Sequence, residues 1–148
     1  MARQYVSGFN EVAKILKELP RAAESRVLQA STQAGARALA KEVKANAPRH
    51  TGKRSQASKQ YGTLFRNIKV QPLRWARRRR NIRGSRVYTG NAFWGVFLEL
   101  GTRFITAKPW FRPAISTGSD AALNAIKSAL GRGVDREAAK LAQKYRTK

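Results

Sequence analysis

Side chains that could perform acid–base, nucleophilic or metal chemistry are scarce in this sequence. It has one histidine, His50, no cysteine and eight carboxylates in 148 residues. Between residues 43 and 119 the only carboxylate is Glu99. A zinc site needs clustered ligands, and metal-assisted hydrolysis needs several acids close together. The glycine-rich phosphate loop and the nucleophile elbow are also missing. We therefore predict that the protein is not an enzyme and has no cofactor or metal site.

Arginine is the residue type that could act here, through contacts with anions. Residues 43–119 carry 17 basic side chains and one carboxylate, which accounts for +16 of the chain's net charge of +23. Such a segment attracts nucleic acid or an acidic protein face. The candidate contact residues are Arg74, Arg77, Arg78, Arg79, Arg80, Arg83 and Arg86. We predict that this cluster contacts a polyanion; the alternative is a solvated hairpin tip.

Glu99 is the second candidate, because it is a lone acid among basic and apolar residues. It could pair with Arg103, Arg112 or an arginine of a neighbouring subunit and thereby fix the register of an interface. The alternative is an exposed residue at the end of an element. The residue types alone leave both readings open.

Trp110 and Phe111 are the third candidate, since Pro109 and Pro113 enclose them in what reads as a stiff extended linker. Exposed tryptophans often anchor protein interfaces. The alternative, and the commoner case, is an aromatic plug for the domain's own core.

The elements that would position these residues begin with two helical segments. Residues 12–19 carry apolar side chains at i, i+3, i+4 and i+7, which is one face of a helix. Residues 21–46 are rich in helix-forming types, with alanines recurring along one face. Pro48 disfavours helical geometry at Ala47, so we predict that the second helix ends there.

The middle of the chain has loop and strand character. Residues 48–62 are polar with two glycines, and we predict a flexible loop at about 53–62. Alternation over residues 64–70 predicts a strand, and residues 86–89 predict a returning strand, so that a long basic hairpin spans about 68–90. Residues 93–100 are apolar but too short to assign as strand or helix, and Gly101 ends them either way.

The end of the chain has the clearest helical pattern, with apolar residues spaced three and four apart from Leu123 to Tyr145. We predict a C-terminal helix over about 119–146. Gly131 and Gly133 each cost about 1 kcal/mol relative to alanine, which predicts a bend or break. The fold class is therefore α+β: one domain over residues 1–148, a small antiparallel sheet with a long basic hairpin, packed by N-terminal helices and a C-terminal helix. No apolar run approaches the roughly 18 residues of a membrane span.

Three segments in this order resemble a known family. Residues 47–52 read Ala-Pro-Arg-His-Thr-Gly, residues 95–102 end in Glu-Leu-Gly-Thr, and residues 107–114 read Ala-Lys-Pro-Trp-Phe-Arg-Pro-Ala. Over about residues 8–130 the chain resembles the tail-completion, or head–tail joining (neck), family of long-tailed double-stranded DNA bacteriophages. The positions that the resemblance assigns to turns and subunit or partner contacts are Thr51, Gly52, Glu99, Gly101, Thr102, Pro109, Trp110, Phe111, Arg112 and Pro113.

The resemblance implies a structural virion protein of the neck, at the upper end of the tail, made in the host cytoplasm. It implies a ring, commonly sixfold, whose partners are further copies of the chain, a head-side connector or head-completion protein, and a tail terminator or tail-tube protein. Such a ring would leave a channel for DNA, with non-specific contact to the genome.

The alternative is a basic nucleic-acid-binding protein of ribosomal or nucleoid type, which the pI of 11.7 supports. That protein would bind DNA or RNA tightly as a monomer, with a strong dependence on salt. A DNA conduit should not hold DNA tightly. For the arginine tip we therefore favour an acidic protein as the partner, with DNA second.

Overall fold

The computed structural model describes residues 21–49, 56–73 and 82–146. Its elements in chain order are helix α1 (Arg21–Asn46), helix α2 (Gln56–Tyr61), helix α3 (Leu64–Asn67), strand β1 (Lys69–Pro72), strand β2 (Ser85–Tyr88), helix α4 (Trp94–Leu100) and helix α5 (Phe111–Arg146). The α+β class is confirmed. The helix predicted for residues 12–19 lies outside the described residues.

Helices α1 and α5 pack side by side in antiparallel directions. The beginning of α1 meets the second half of α5 in a cluster formed by Ala23, Val27, Leu130 and Val134. Further along α1 the contacts move towards the start of α5, where Gly118 lies beside Leu39. The two helices approach closely at Gly35: a Cβ atom at this position would lie only 2.5 Å from Ile126 Cγ1, so a larger residue would not fit without a shift. Ala23 and Val27 of the small-residue face predicted for α1 take part in this packing, whereas Ala30 is exposed and the buried positions that follow are Ser31 and Gly35.

The main core lies where the end of α1 meets the start of α5. Its buried members are Ala40, Val43, Ala47, Leu64, Ile68, Ala92, Trp110 and Ala114. Val43 is fully enclosed, and Trp110 is the largest side chain in the cluster. Helix α1 ends at Asn46, directly before the Ala47–Pro48 pair, as the sequence predicts.

The sheet consists of β1 and β2, which pair antiparallel with Val70 opposite Val87. A two-stranded sheet is marginal by itself, and here it packs on α1. Gln29 Nε2 donates a hydrogen bond to Ser85 Oγ at 3.2 Å. The two strands of the predicted hairpin are thus present, whereas its basic tip, residues 74–81, lies outside the described residues and remains a prediction.

Two predictions in the middle of the chain were wrong. Residues 64–67 form helix α3, not the start of a strand, because Asn67 closes a helical turn: its backbone N–H and its side-chain Nδ2 both donate to Thr63 O. Leu64, Asn67 and Ile68 therefore face inward at helical spacing. The segment predicted as a flexible loop also contains helix α2, which the polar composition concealed.

The C-terminal helix begins at Phe111, earlier than the predicted residue 119. Residues 111–113 are therefore helical, and the prediction of an extended linker through Pro113 was wrong. Pro113 is tolerated because the first turn of a helix leaves its N–H groups without helical partners. Helix α5 runs without a break through Gly131 and Gly133, where a bend or break was predicted. Gly133 has a packing reason, since its Cβ would lie 2.8 Å from Val27 Cγ1.

Candidate functional site

Helix α4 stops at Gly101, whose φ of 76° is a conformation that glycine adopts without strain. Its N–H donates to Phe97 O at 2.9 Å and completes the last helical turn. A Cβ atom at this position would lie 2.9 Å from Ala107 N. Gly101 therefore both ends the helix and allows the returning chain to pass close to it.

The residues after Gly101 form a tight turn from Thr102 to Ile105. Thr102 N–H donates to Ile105 O at 2.8 Å, and Thr102 Oγ1 accepts the N–H groups of Phe104 and Ile105. The turn presents Phe104, which is 89 % exposed. The chain then returns beside α4, where Lys108 N–H donates to Leu98 O at 2.8 Å.

The carboxylate of Glu99 receives this returning chain at the start of α5. Its Oε2 accepts the backbone N–H groups of Trp110 and Phe111, both at 2.7 Å, and its Oε1 accepts that of Arg112 at 3.1 Å. The first N–H groups of a helix have no acceptor within the helix. Glu99 therefore caps α5 from α4, and its negative charge lies at the positive end of the helix dipole.

The arginine partners predicted for Glu99 contribute less to its binding than the backbone N–H groups do. Arg112 Nε lies 3.9 Å from Oε1, with its side chain 76 % exposed, so this pair adds little in water. Arg103 instead lies over the ring of Phe104. Burial raises the pKa of Glu99. The N–H groups of Phe111, Trp110 and Arg112 and the charge of Arg112 together lower it by more, so its pKa lies below the ordinary value of 4.5.

This lowered pKa predicts a specific dependence of stability on pH. The ionised cap contributes fully above the ordinary pKa of 4.5, and its contribution is lost as the pH falls through the lower pKa of the folded state. We expect the difference in free energy of unfolding between the wild type and Glu99→Gln to shrink as the pH falls below about 4.5, as measured by urea denaturation at a series of pH values. Glu137, whose pKa is also lowered, chiefly by a hydrogen bond from Lys140, is common to both proteins and cancels. A difference that stays constant with pH would contradict the cap.

Trp110 is held in the core of this chain. Its side chain is nearly fully buried, and its indole Nε1 donates to Gly95 O of α4 at 3.2 Å. Phe111, partly buried, meets the Trp110 ring edge-on at 5.5 Å between centroids. Trp110 and Glu99 thus tie the start of α5 to α4 by two separate contacts.

The outer side of α4 is apolar and open to solvent. Phe93, Val96, Phe97 and Leu100 are between 45 and 58 % exposed, at the helical spacing of one face. The rings of Phe93 and Phe97 lie 6.1 Å apart. Adjacent exposed apolar side chains of this kind mark interaction surfaces; we call these four residues the α4 face.

Several candidate residues lie outside the described residues: Thr51, Gly52, Arg74, Arg77, Arg78, Arg79 and Arg80. Arg83 and Arg86 are described and lie near the hairpin. Arg83 donates to Ser25 Oγ of α1 at 2.7 Å. Arg86 donates to Gln71 Oε1 at 3.0 Å and lies over the ring of Tyr88. Both arginines therefore have contacts within the chain, in addition to any contact with a partner.

Within residues 21–49, 56–73 and 82–146 there is no group of three or more His, Cys or acidic residues that could hold a metal ion. In the same ranges, no helix combines the length and the hydropathy that crossing a membrane requires.

Residues 10–101 match the family model described as "Bacteriophage HK97-gp10, putative tail-component". The chain belongs to the HK97-gp10-like family. The match covers more than half of the chain and runs from before α1 to Gly101. No curated protein and no solved structure shows significant similarity to it.

Membership of the HK97-gp10-like family gives this chain a structural role in a phage tail and a place in the virion. The match ends at Gly101, so it includes Glu99 but not the N–H groups that Glu99 caps. The α4 face also lies within the matched residues. Sequence reasoning missed this face, because Trp94, Gly95 and Leu98 on the opposite side of α4 are apolar or small as well.

Proposed function

We propose that this tail component is a tail-completion, or neck, adaptor that assembles into a ring. The ring, a hexamer in the family resemblance, would join the tail to the DNA-filled head and leave a channel for DNA. Its partners would be a head-side connector or head-completion protein on one side and a tail terminator or tail-tube protein on the other. Family membership supports the tail role, and the α4 face supports the assembly.

The α4 face is the observation that supports the proposal most strongly, because it is an uncharged surface on a highly charged chain. Each copy carries +23, so two copies repel wherever their basic surfaces meet. A contact between copies is least opposed where side chains are uncharged, and Phe93, Val96, Phe97 and Leu100 form such a surface. The Glu99 cap and Trp110 hold α4 on α5, so the face belongs to a rigid unit. We therefore assign the α4 face to the contact between neighbouring subunits.

The test is the oligomeric state of the full chain by native mass spectrometry, alone and mixed with tails assembled without it. We expect the wild type to form a closed ring whose mass is a multiple of 16.5 kDa. The double variant Val96→Ser, Phe97→Ser should remain a folded monomer. Ile115→Ser is the matched control, since Ile115 is 42 % exposed on α5 and outside the α4 face; it should assemble normally.

Two results would overturn parts of the proposal. A wild type that stays monomeric both alone and with tails would remove the ring. A ring that forms equally well with Val96→Ser, Phe97→Ser would place the subunit contact elsewhere.

For the basic segment at residues 74–81 we propose contact with an acidic partner, because a surface of one charge is attracted to a surface of the opposite charge.

The second candidate function is a free nucleic-acid-binding protein, favoured by the net charge of +23. It predicts a monomer that coats DNA tightly at physiological salt. Mass measurement with duplex DNA at physiological salt separates the two candidates. The adaptor is expected to assemble into a ring without DNA and to be largely free of DNA, whereas the nucleic-acid-binding protein should stay a monomer and keep the DNA bound.

A further inference from the structure

An open groove of ≈ 800 Å³ runs between α1 and the β1–β2 hairpin. Four basic side chains line it: Arg37, Lys41 and Lys44 from α1, and Lys69 from β1. The three residues of α1 are spaced four and three apart, so they share one face of the helix and form a row about 10 Å long at 1.5 Å per residue. Lys69 lines the groove from the strand. We call this surface the basic groove.

The charges of the basic groove are uncompensated within the described residues. Among the described residues, no carboxylate lines it. The ion pairs of the described residues all involve Glu99 or Glu137, and none includes a residue of the groove. Arg37 and Lys41 stand at i and i+4, a spacing at which like charges repel and destabilise a helix. A bound anion would relieve this repulsion, so the groove favours a negatively charged ligand.

The spacing of the basic side chains suits an extended anion. Three of the four are lysines, which bind phosphate as point charges, without the planar bidentate geometry that arginine offers to carboxylate and phosphate alike. The row of about 10 Å along α1 corresponds to about three nucleotides of one strand, at 3.4 Å per nucleotide along a duplex. Gln71 also lines the groove, and its side-chain oxygen already accepts a hydrogen bond from Arg86.

We infer that the basic groove binds the phosphodiester backbone of double-stranded DNA without regard to sequence. This site includes none of the arginines at residues 74–80, and the inference rests on the geometry of the groove, not on the proposed ring. Four phosphate contacts give a slope of about −3.6 for log K against log salt, or roughly a 150-fold loss of affinity between 50 and 200 mM salt. Such a contact binds DNA weakly at physiological salt, so the DNA can move past it and dissociate readily.

The test is fluorescence anisotropy of the full chain with a labelled duplex of random sequence, over about 50 to 200 mM salt. The groove variant is Lys41→Gln, Lys44→Gln, Lys69→Gln. The matched control is Lys127→Gln, Arg132→Gln, Arg136→Gln, which removes the same charge from exposed positions of α5. We expect the groove variant to reduce the salt slope by about 2.7 and to bind DNA at least tenfold more weakly at the lowest salt, with the control changing the slope by less than about 1.

A charge-conserving variant separates the effect of lost charge from the effect of a damaged fold. Lys41→Arg, Lys44→Arg, Lys69→Arg keeps the charges and should keep the DNA affinity within about threefold, while circular dichroism checks that every variant is folded. Equal weakening by the groove variant and the α5 control would overturn the site, because the attraction would then be diffuse. Unchanged DNA binding combined with a groove-dependent affinity for polyglutamate would overturn it in favour of an acidic protein. If the wild type formed no ring but the groove variant and its controls bound DNA as expected, the proposed function would be wrong and the groove inference would stand.

Discussion

Replacing Trp110 with alanine is expected to lower the free energy of unfolding by about 3–5 kcal/mol, the usual cost of removing a buried aromatic side chain. The side chain is nearly fully buried among the residues that join the end of α1 to the start of α5. The substitution would leave a cavity and would also remove the indole hydrogen bond to Gly95 O. Because small domains have only about 5–15 kcal/mol in total, this loss should be plain in urea denaturation followed by circular dichroism.

Two companion variants locate the effect. Trp110→Phe keeps most of the buried ring but loses the N–H donor, so we expect a smaller loss of about 1–2 kcal/mol. Phe93→Ala removes an aromatic ring from the exposed α4 face and should change the free energy of unfolding by less than about 1 kcal/mol. If Trp110→Ala cost no more than Phe93→Ala, the start of α5 would not be anchored in the core as described.

Replacing Glu99 with alanine is expected to lower the free energy of unfolding by about 2–3 kcal/mol at neutral pH. Three backbone N–H groups at the start of α5 would lose their acceptor, and the one on Trp110 belongs to a buried residue that water reaches poorly. Hydrogen bonds to a charged acceptor contribute more than neutral ones, and an orphaned donor carries its own desolvation cost. Urea denaturation of the two proteins at pH 7 measures the difference.

The control for Glu99→Ala is Asp135→Ala, which removes an exposed carboxylate from α5 and should change stability by no more than about 0.5 kcal/mol. Glu99 and Trp110 hold the same joint, so the double variant should cost less than the sum of the single ones. A loss for Glu99→Ala as small as that for Asp135→Ala would show that the cap does not stabilise the fold. Strict additivity would show that the two contacts act independently.

These contacts explain how a seven-residue helix can present an ordered apolar surface. Helix α4 is too short to be stable alone. Its inner side is fixed by the Trp110 indole on Gly95 O and by the Glu99 carboxylate on the start of α5. Its outer side is then free to expose the α4 face in one orientation. A subunit interface built on this face would be pre-organised before assembly, which reduces the entropy lost on binding.

Local signals in the sequence were sufficient for much of this fold. The helix-forming composition of residues 21–46 and the Ala47–Pro48 stop predicted α1, because propensity and the steric effect of proline act within a few residues. The apolar spacing after residue 119 predicted most of α5, and Gly101 predicted the end of α4. The absence of cysteine and the shortage of acids argued against catalysis and directed attention to assembly, and the resemblance to phage tail proteins agrees with the family match.

Tertiary structure decided the rest, because the deciding partners are distant in the sequence or share a composition that fits two answers. The sequence marked Glu99 as unusual but offered arginines as partners, whereas the folded chain brings three backbone N–H groups to it from residues 110–112. Every residue except proline carries a backbone N–H donor, so no residue type marks the ones that Glu99 binds. Helix α4 carries apolar residues on both sides, so its sequence does not indicate which side is buried. The contact of Trp110 with Gly95 determines which side stays exposed. The basic groove likewise exists only because the fold brings β1, with Lys69, beside residues of α1 that are distant in the sequence, which no local pattern could specify.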